Sequence, residues 1–241
     1  MNGGGEDTDY LTSLAFLSEC LYRACRKESI ILIDEYDVPL ENAHFEGFYE
    51  EMVSFIRSLF ESALKTNPYL GFAVVTGCLR VSRESIFTGL NNLRVYSILN
   101  ENYEAYFGFT EAEVQDMLEY YDREGNLPVL REWYDGYCFG NAELYNPWSI
   151  LNHMEDIITN REAFPVPYWA NTSSNSVVRD LVDKLDDDKG MLQEQLECLM
   201  NGGTIEKAVH EDITYDAVYD HEDNLWNFLF FTGYLKKVSA R

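Results

Sequence analysis

The chain has 241 residues, enough for one large or two modest domains, and its 46% apolar and 15% aromatic content is that of a globular protein rather than a disordered one. Its 42 acidic residues outnumber 18 Lys and Arg, leaving a formal net charge of -24. That balance argues against a nucleic-acid backbone as the main partner, because phosphate binding needs clustered Lys and Arg and no basic run is present.

No apolar run approaches the ~18 residues that a bilayer span needs, and no apolar stretch follows a basic N-terminal region. The sequence therefore predicts neither a membrane span nor a signal peptide. Cys20, Cys25, Cys78, Cys138 and Cys198 are scattered and form no C-x-x-C. They read as reduced thiols of a cytoplasmic protein, with Cys20 and Cys25 buried.

In chain order, residues 1–9 read as a flexible lead-in. Residues 10–27 carry Leu11, Leu14, Ala15, Leu17, Leu21 and Ala24 at helical spacing. The run S-I-I-L-I-D-E-Y-D-V-P-L (29–40) places four aliphatic residues, Ile30 to Ile33, directly before Asp34 and Glu35. Such a run predicts a strand buried on both faces, as in a parallel sheet, ended by Pro39. Residues 45–65 read as one amphipathic helix, with Phe45, Phe48, Met52, Phe55 and Leu59 stepping by 3, 4, 3 and 4 along a buried stripe that Ile56, Phe60 and Ala63 widen. Asn67-Pro68 ends it. Residues 70–76, L-G-F-A-V-V-T, are a second buried strand. Strand, helix and strand predict a right-handed βαβ unit with parallel strands. Gly77 is expected to allow a tight turn, which brings Thr76, Arg80 and Arg83 to the sheet edge that carries Asp34 and Glu35.

Residues 95–99 suggest a third short strand. Thr110 and Glu113 have capping-box spacing and predict a helix to about residue 121, with Val114, Met117 and Leu118 inward. Residues 127–134 predict another, with Gly136 at its C′ position. Asn146 and Pro147 suit the N-cap and N1 of a helix carrying Trp148, Ile150, Leu151, Met154 and Ile157. Pro165-Val166-Pro167 is an extended connector. Helices are expected over 177–185, 191–201 and 225–231, with a solvated acidic loop at 186–188.

Acids at the C-terminal end of a parallel strand sit where open α/β sheets bind ligands. In nucleotide hydrolases that position holds the Walker B pair, an Asp supporting Mg²⁺ and a Glu polarising the attacking water. A strand that merely ends in solvated acids is the competing account. Asp37 is expected to cap the next segment. His210-Glu211-Asp212 and His221-Glu222-Asp223 read as solvated loop rather than metal ligands, since nothing in their spacing enforces convergence. His44 and His153 read as structural or surface residues. Trp133, Tyr134, Tyr137, Phe139, Tyr145 and Trp148 lack interleaved Lys or Arg and predict a packed core rather than a platform for bases.

L-I-D-E-Y-D-V-P-L (32–40), T-G-C-L-R (76–80), S-I-F-T-G-L-N-N (85–92), F-G-F-T-E-A-E-V (107–114), W-Y-D-G-Y-C-F-G (133–140), Y-N-P-W-S (145–149), Y-W-A-N-T-S (168–173) and N-L-W-N-F-L-F-F-T-G-Y-L (224–235) occur in that order. In these motifs the chain resembles the bacterial AAA-ATPase-like family, P-loop ATPases often fused to a PD-(D/E)XK nuclease-like domain. The resemblance implies an α/β fold: a partial P-loop NTPase-type parallel sheet over residues 1–107, then a mostly helical lid and winged-helix-like region over 108–241. It implies an ATPase that uses ATP and Mg²⁺. Asp34 and Glu35 would be the Walker B acids, with Asp34 at the metal and Glu35 as the water-orienting group. Thr76 would be the polar sensor and Arg80 a phosphate-sensing residue.

The chain departs from that pattern. It contains no G-x-x-x-x-G-K-[ST], and Gly3-Gly4-Gly5 is followed by Glu6 and Asp7. No nuclease-like pattern is present either. The expectation is a fragment with the Walker B, sensor and lid portions, weak nucleotide binding and negligible hydrolysis alone. The alternative is a catalytically inactive protein-interaction module. In either case an uncovered sheet favours an oligomer or a partner chain. A Mg²⁺-dependent phosphoesterase using Asp34, Glu35 and Asp37 is disfavoured, because alternate residues of a strand face opposite ways.

Overall fold

A computed structural model of the chain describes residues 10–78, 86–87, 89–90, 92–168, 191–211 and 222–239. The described residues fall into two compact units, one within Met1–Arg94 and Lys184–Thr232, the other within Val95–Asp183 and Gly233–Arg241. The expected helices and acidic loop at 177–188, and Arg80 and Arg83, lie outside the described residues.

In the first unit, α1 (Ser13–Cys25) leads into β1 (Ser29–Ile33) through Arg26, whose φ of 57° ends the helix in the left-handed region. Tyr22 packs on Tyr69, ring centroids 5.2 Å apart. Ser18 is the fully buried residue of α1, and Leu14, Ala15 and Tyr22 are half-buried. The inward stripe is thus narrow, and Cys20 and Cys25, expected to be buried, are exposed.

β1 pairs in parallel with β2 (Leu70–Val75), as expected, in the register Ile30↔Phe72, Leu32↔Val74 and Ile33↔Val75. The expectation that both faces are buried does not hold. Ile30 and Leu32 are 67% and 73% exposed, and Phe72 and Val74 are 61% and 41% exposed. Alternation puts these four on one face of the two-stranded sheet, while Ile31, Ile33, Ala73 and Val75 are half-buried on the other.

The predicted single helix over 45–65 is two helices and a turn. Pro39, expected only to end the strand, sits in the first turn of α2 (Val38–Glu46), where its missing N–H costs nothing. Gly47, at φ 80°, breaks the helix before α3 (Tyr49–Phe60) and a π-helical turn, Glu61–Lys65. The break rotates the apolar stripe. Ile56, Phe60 and Ala63 are buried as expected, joined by Val53 and Leu64, whereas Phe45, Phe48 and Phe55 of the predicted stripe are exposed. Each inward Val, Leu, Ile or Phe side chain contributes about 1.5–3 kcal/mol by burial.

The unit also contains α7 (Met191–Met200) and α8 (Glu222–Phe231). α8 is the buried apolar helix expected, with Leu225, Trp226, Phe228 and Leu229 inside. Asn227, buried among them, donates to the Ala208 and Asp223 carbonyls and accepts the His210 amide at 2.9 Å. His210 is therefore tethered and half-buried rather than part of a solvated loop.

The second unit is built on α4 (Glu111–Tyr120), α5 (Leu127–Tyr134), the hairpin β3 (Asp135–Phe139) and β4 (Ala142–Tyr145), and α6 (Pro147–Thr159). Its core joins Val114 and Leu118 of α4, Leu130 and Tyr134 of α5, Tyr145, and Ile150, Met154 and Ile157 of α6. The capping box is formed: Thr110 accepts the Glu113 amide, and Glu113 accepts the Thr110 amide at 2.8 Å. Asn146 caps α6 by accepting the Ser149 amide at 2.9 Å. Three expectations fail here. Residues 95–99 form no strand. Gly136 stands at C′ but does not end α5 in the left-handed region, because the chain runs through extended Asp135 straight into β3. Of the aromatic cluster expected to pack as a core, Tyr134 and Tyr145 are buried but Trp133 and Trp148 are largely exposed.

Candidate functional site

β1 ends at Ile33, and the parallel ladder carries on around the next residues. The Thr76 amide donates to the Ile33 carbonyl at 2.8 Å, and the Tyr36 amide donates to the Thr76 carbonyl at 3.0 Å. Asp34 and Glu35 are thus held in an outward loop facing Thr76. The Thr76 hydroxyl donates to Asp34 Oδ1, and the Glu35 amide donates to the same oxygen at 3.1 Å. Asp34 Oδ2 has no hydrogen-bond partner among the described residues.

Glu35 has φ 51°, a left-handed conformation that costs a non-glycine residue about 1–2 kcal/mol. The reversal lets the chain turn from exposed Glu35 to buried Tyr36, which meets Phe87 and Phe60 at centroid distances of 5.1 and 6.4 Å. Asp37 follows at 2% exposure. Its carbonyl accepts the Leu40 and Glu41 amides, each at 3.0 Å, and so opens α2, but its side chain does not cap the helix. That side chain lies against the second strand end instead. A Cβ added to Gly77 would stand 2.6 Å from Asp37 Oδ1 and 2.5 Å from the Tyr36 ring. Gly77 therefore serves close approach, since any side chain there would collide with Tyr36 and Asp37.

The electrostatics are one-sided. Burial pushes the Glu41 carboxyl above its usual range, and neighbouring Asp37 adds to that. Burial likewise raises the Cys78 thiol, with further contributions from Asp37, Glu35 and Glu41. A thiol held protonated in this way is a poor nucleophile.

The structure brings Asp34, Glu35 and Thr76 together, and Arg80 lies outside the described residues. No cluster of His, Cys, Asp and Glu able to hold a metal by itself occurs among the described residues. Sequence reading missed the part played by Glu41 and by the Gly77 contact. A glycine directly after a strand-ending Thr was the available signal for the latter.

Residues 3–87 match the family model described as predicted AAA-ATPase. The AAA-ATPase-like resemblance thus holds over the segment that carries Asp34, Glu35 and Thr76. A relative, an uncharacterized protein from the vnfD 5′ region of Azotobacter chroococcum mcd 1, is 30% identical over 158 residues, covering 64% of this chain and 28% of the relative. The chain therefore spans less than a third of the length of that relative. No solved structure matches.

Proposed function

We propose that this AAA-ATPase-like chain supplies the acid strand and polar sensor of a nucleoside-triphosphate site. Asp34 is its Walker B aspartate, Glu35 its water-orienting group and Thr76 its sensor, with Arg80 a further phosphate-contacting residue. The observation that carries the reading is the Thr76–Asp34 hydrogen bond at the C-terminal ends of two parallel strands, inside the matched segment.

Mg²⁺ prefers hard oxygen ligands and keeps several waters, taking one or two carboxylates plus phosphate oxygens. Asp34, with Oδ1 fixed by two donors and Oδ2 open, suits that role. When bound, the ion would neutralise phosphate charge. Thr76 fixes the Asp34 carboxylate, and Glu35 lies beside it as the acceptor for a water proton. The lid role falls to the mostly helical region over residues 108–241. The 241 residues contain no Walker A pattern, so the chain by itself binds nucleotide weakly and turns over negligibly.

The test uses Mn²⁺ with ATP and amide NMR. Paramagnetic broadening is expected first at Asp34–Asp37 and Thr76–Cys78, and is lost in Asp34→Asn. Broadening spread evenly over the acidic surface overturns the assignment. ATP turnover that Glu35→Gln abolishes while binding persists would confirm Glu35 but overturn the inactivity.

The exposed apolar face of Ile30, Leu32, Phe72 and Val74 favours a second reading, an interaction module that works by covering this face. A monomer in light scattering whose Leu32→Lys variant behaves identically in every binding assay counts against it.

A further inference from the structure

α6 carries two apolar faces. Ile150, Met154 and Ile157 face the core, while Trp148, Leu151 and Ile158 form an outer line, exposed by 50%, 52% and 39%. Leu151 and Ile158 are two turns apart, about 10.5 Å along the axis. They face Met117 and Tyr120 of α4, and with Met154 these residues line an open groove of about 570 Å³. Asp116 and Glu155 also line it. Neither carboxylate has an ion-pair partner among the described residues. The nearby cations are already engaged. Arg123 donates to the Tyr121, Asp122, Ile157 and Ile158 carbonyls, and Arg161 pairs with Asp122 at 2.6 Å.

An apolar trough between two helices, one helical repeat long, is shaped for another helix presenting side chains at i, i+3 or i+4, and i+7. Met117 and Met154 give it an adaptable floor, and Tyr120 gives it an aromatic rim. The unpaired carboxylates fix the sign of the partner. A second copy of this chain, at net charge -24, would bring like charge, and an anionic membrane would do the same. We infer that the α4–α6 groove docks a basic amphipathic helix of another protein. Its apolar anchors lie on Leu151, Ile158 and Met117, and its Lys or Arg flanks meet Asp116 and Glu155. The surface lies wholly in the second unit and is independent of the nucleotide site.

The probe is an acetylated, amidated 18-residue Leu/Lys peptide with Leu confined to one helical face, labelled with fluorescein. Anisotropy should report saturable binding that weakens about tenfold in Leu151→Glu and several-fold in Asp116→Lys, and that falls with added salt. Benzoylphenylalanine in place of Tyr120 should crosslink to the peptide. Leu151 is exposed, so unchanged circular dichroism and melting serve as the folding control. Equal binding of a scrambled peptide of the same composition overturns the proposal, because it shows charge attraction without a groove. Affinity unchanged by Leu151→Glu overturns it too, as does preferential binding of a Leu/Glu peptide.

Discussion

The Thr76 hydroxyl and the Glu35 amide converge on one oxygen of Asp34, so a side chain 42 residues away in sequence fixes the acid at the end of β1. The arrangement leaves the other carboxylate oxygen open and pre-sets the rotamer. Thr76→Val keeps the shape and removes the donor. It is expected to cost about 1 kcal/mol, with Thr76→Ser close to neutral. In a double-mutant cycle with Asp34→Ala, urea unfolding should give a coupling of about 0.5–1.5 kcal/mol. Additive effects would show that the hydroxyl does not hold the carboxylate.

Gly77→Ala should destabilise the first unit by about 1–3 kcal/mol, because the new methyl meets the Tyr36 ring and Asp37, neither of which has room to retreat. The contrast is Gly125, where an added Cβ meets nothing within 4 Å. Gly125→Ala is expected to be neutral or to stabilise by up to about 1 kcal/mol through the unfolded chain. The urea midpoint of the Gly77 variant should fall, while that of the Gly125 variant stays or rises. Equal midpoints would show that Asp37 and Tyr36 are not packed against Gly77.

Glu35 gives a separate handle on the same loop. Its positive φ is strained for any side chain and worst for a β-branched one. Glu35→Gly should therefore match or exceed the parent in stability, Glu35→Gln should be neutral, and Glu35→Val should lose more than ~1 kcal/mol. Thermal melts of the three variants check the order. A Val variant as stable as the Gly variant would mean that the residue is not held in the left-handed region.

What the sequence shows about this fold follows the range of the interactions. The Thr110–Glu113 box and the Asn146 cap are closed within four residues, and both form as read. The parallel pairing of β1 and β2 was legible because a helical stretch separates two aliphatic runs. The exposed face of that sheet was not, since a run apolar at every position carries no period-two signal to say which side is covered. The stripe through Phe45, Phe48 and Phe55 failed at Gly47, where a single left-handed residue restarts the helix at a new rotation. The hairpin was missed although its signal is local: Gly140-Asn141 is a two-residue turn between Phe139 and Ala142. The Asn141 amide donates to Glu104 at 2.8 Å, and Gly140 takes φ 55°. At the candidate site the acids and Thr76 could be placed from strand ends alone, whereas the burial of Asp37 depends on Gly77, forty residues on.

His153 should make the second unit sensitive to mild acid. It is fully buried, with Nδ1 3.3 Å from the Tyr168 hydroxyl. That hydroxyl gives its own proton to Asp156, so Nδ1 must carry the imidazole hydrogen and donate, and Nε2 is left without a partner. Burial pushes the His153 pKa below its ordinary 6.5, and the Asp156 charge only partly offsets this. In the unfolded chain the imidazole titrates near 6.5, so below that pH the unfolded state takes up a proton that the folded state refuses. Stability is thus complete above about 6.5 and declines as pH falls from there toward the depressed folded value. His153→Leu removes the titrating group. Urea unfolding of parent and variant at pH 7.5, 6.5 and 5.5, followed by fluorescence, should give a stability difference that shifts in favour of the leucine as the medium is acidified. The chain's many carboxylates titrate alike in both proteins and cancel in that difference. Two curves that stay parallel would show that His153 takes up its proton as readily folded as unfolded.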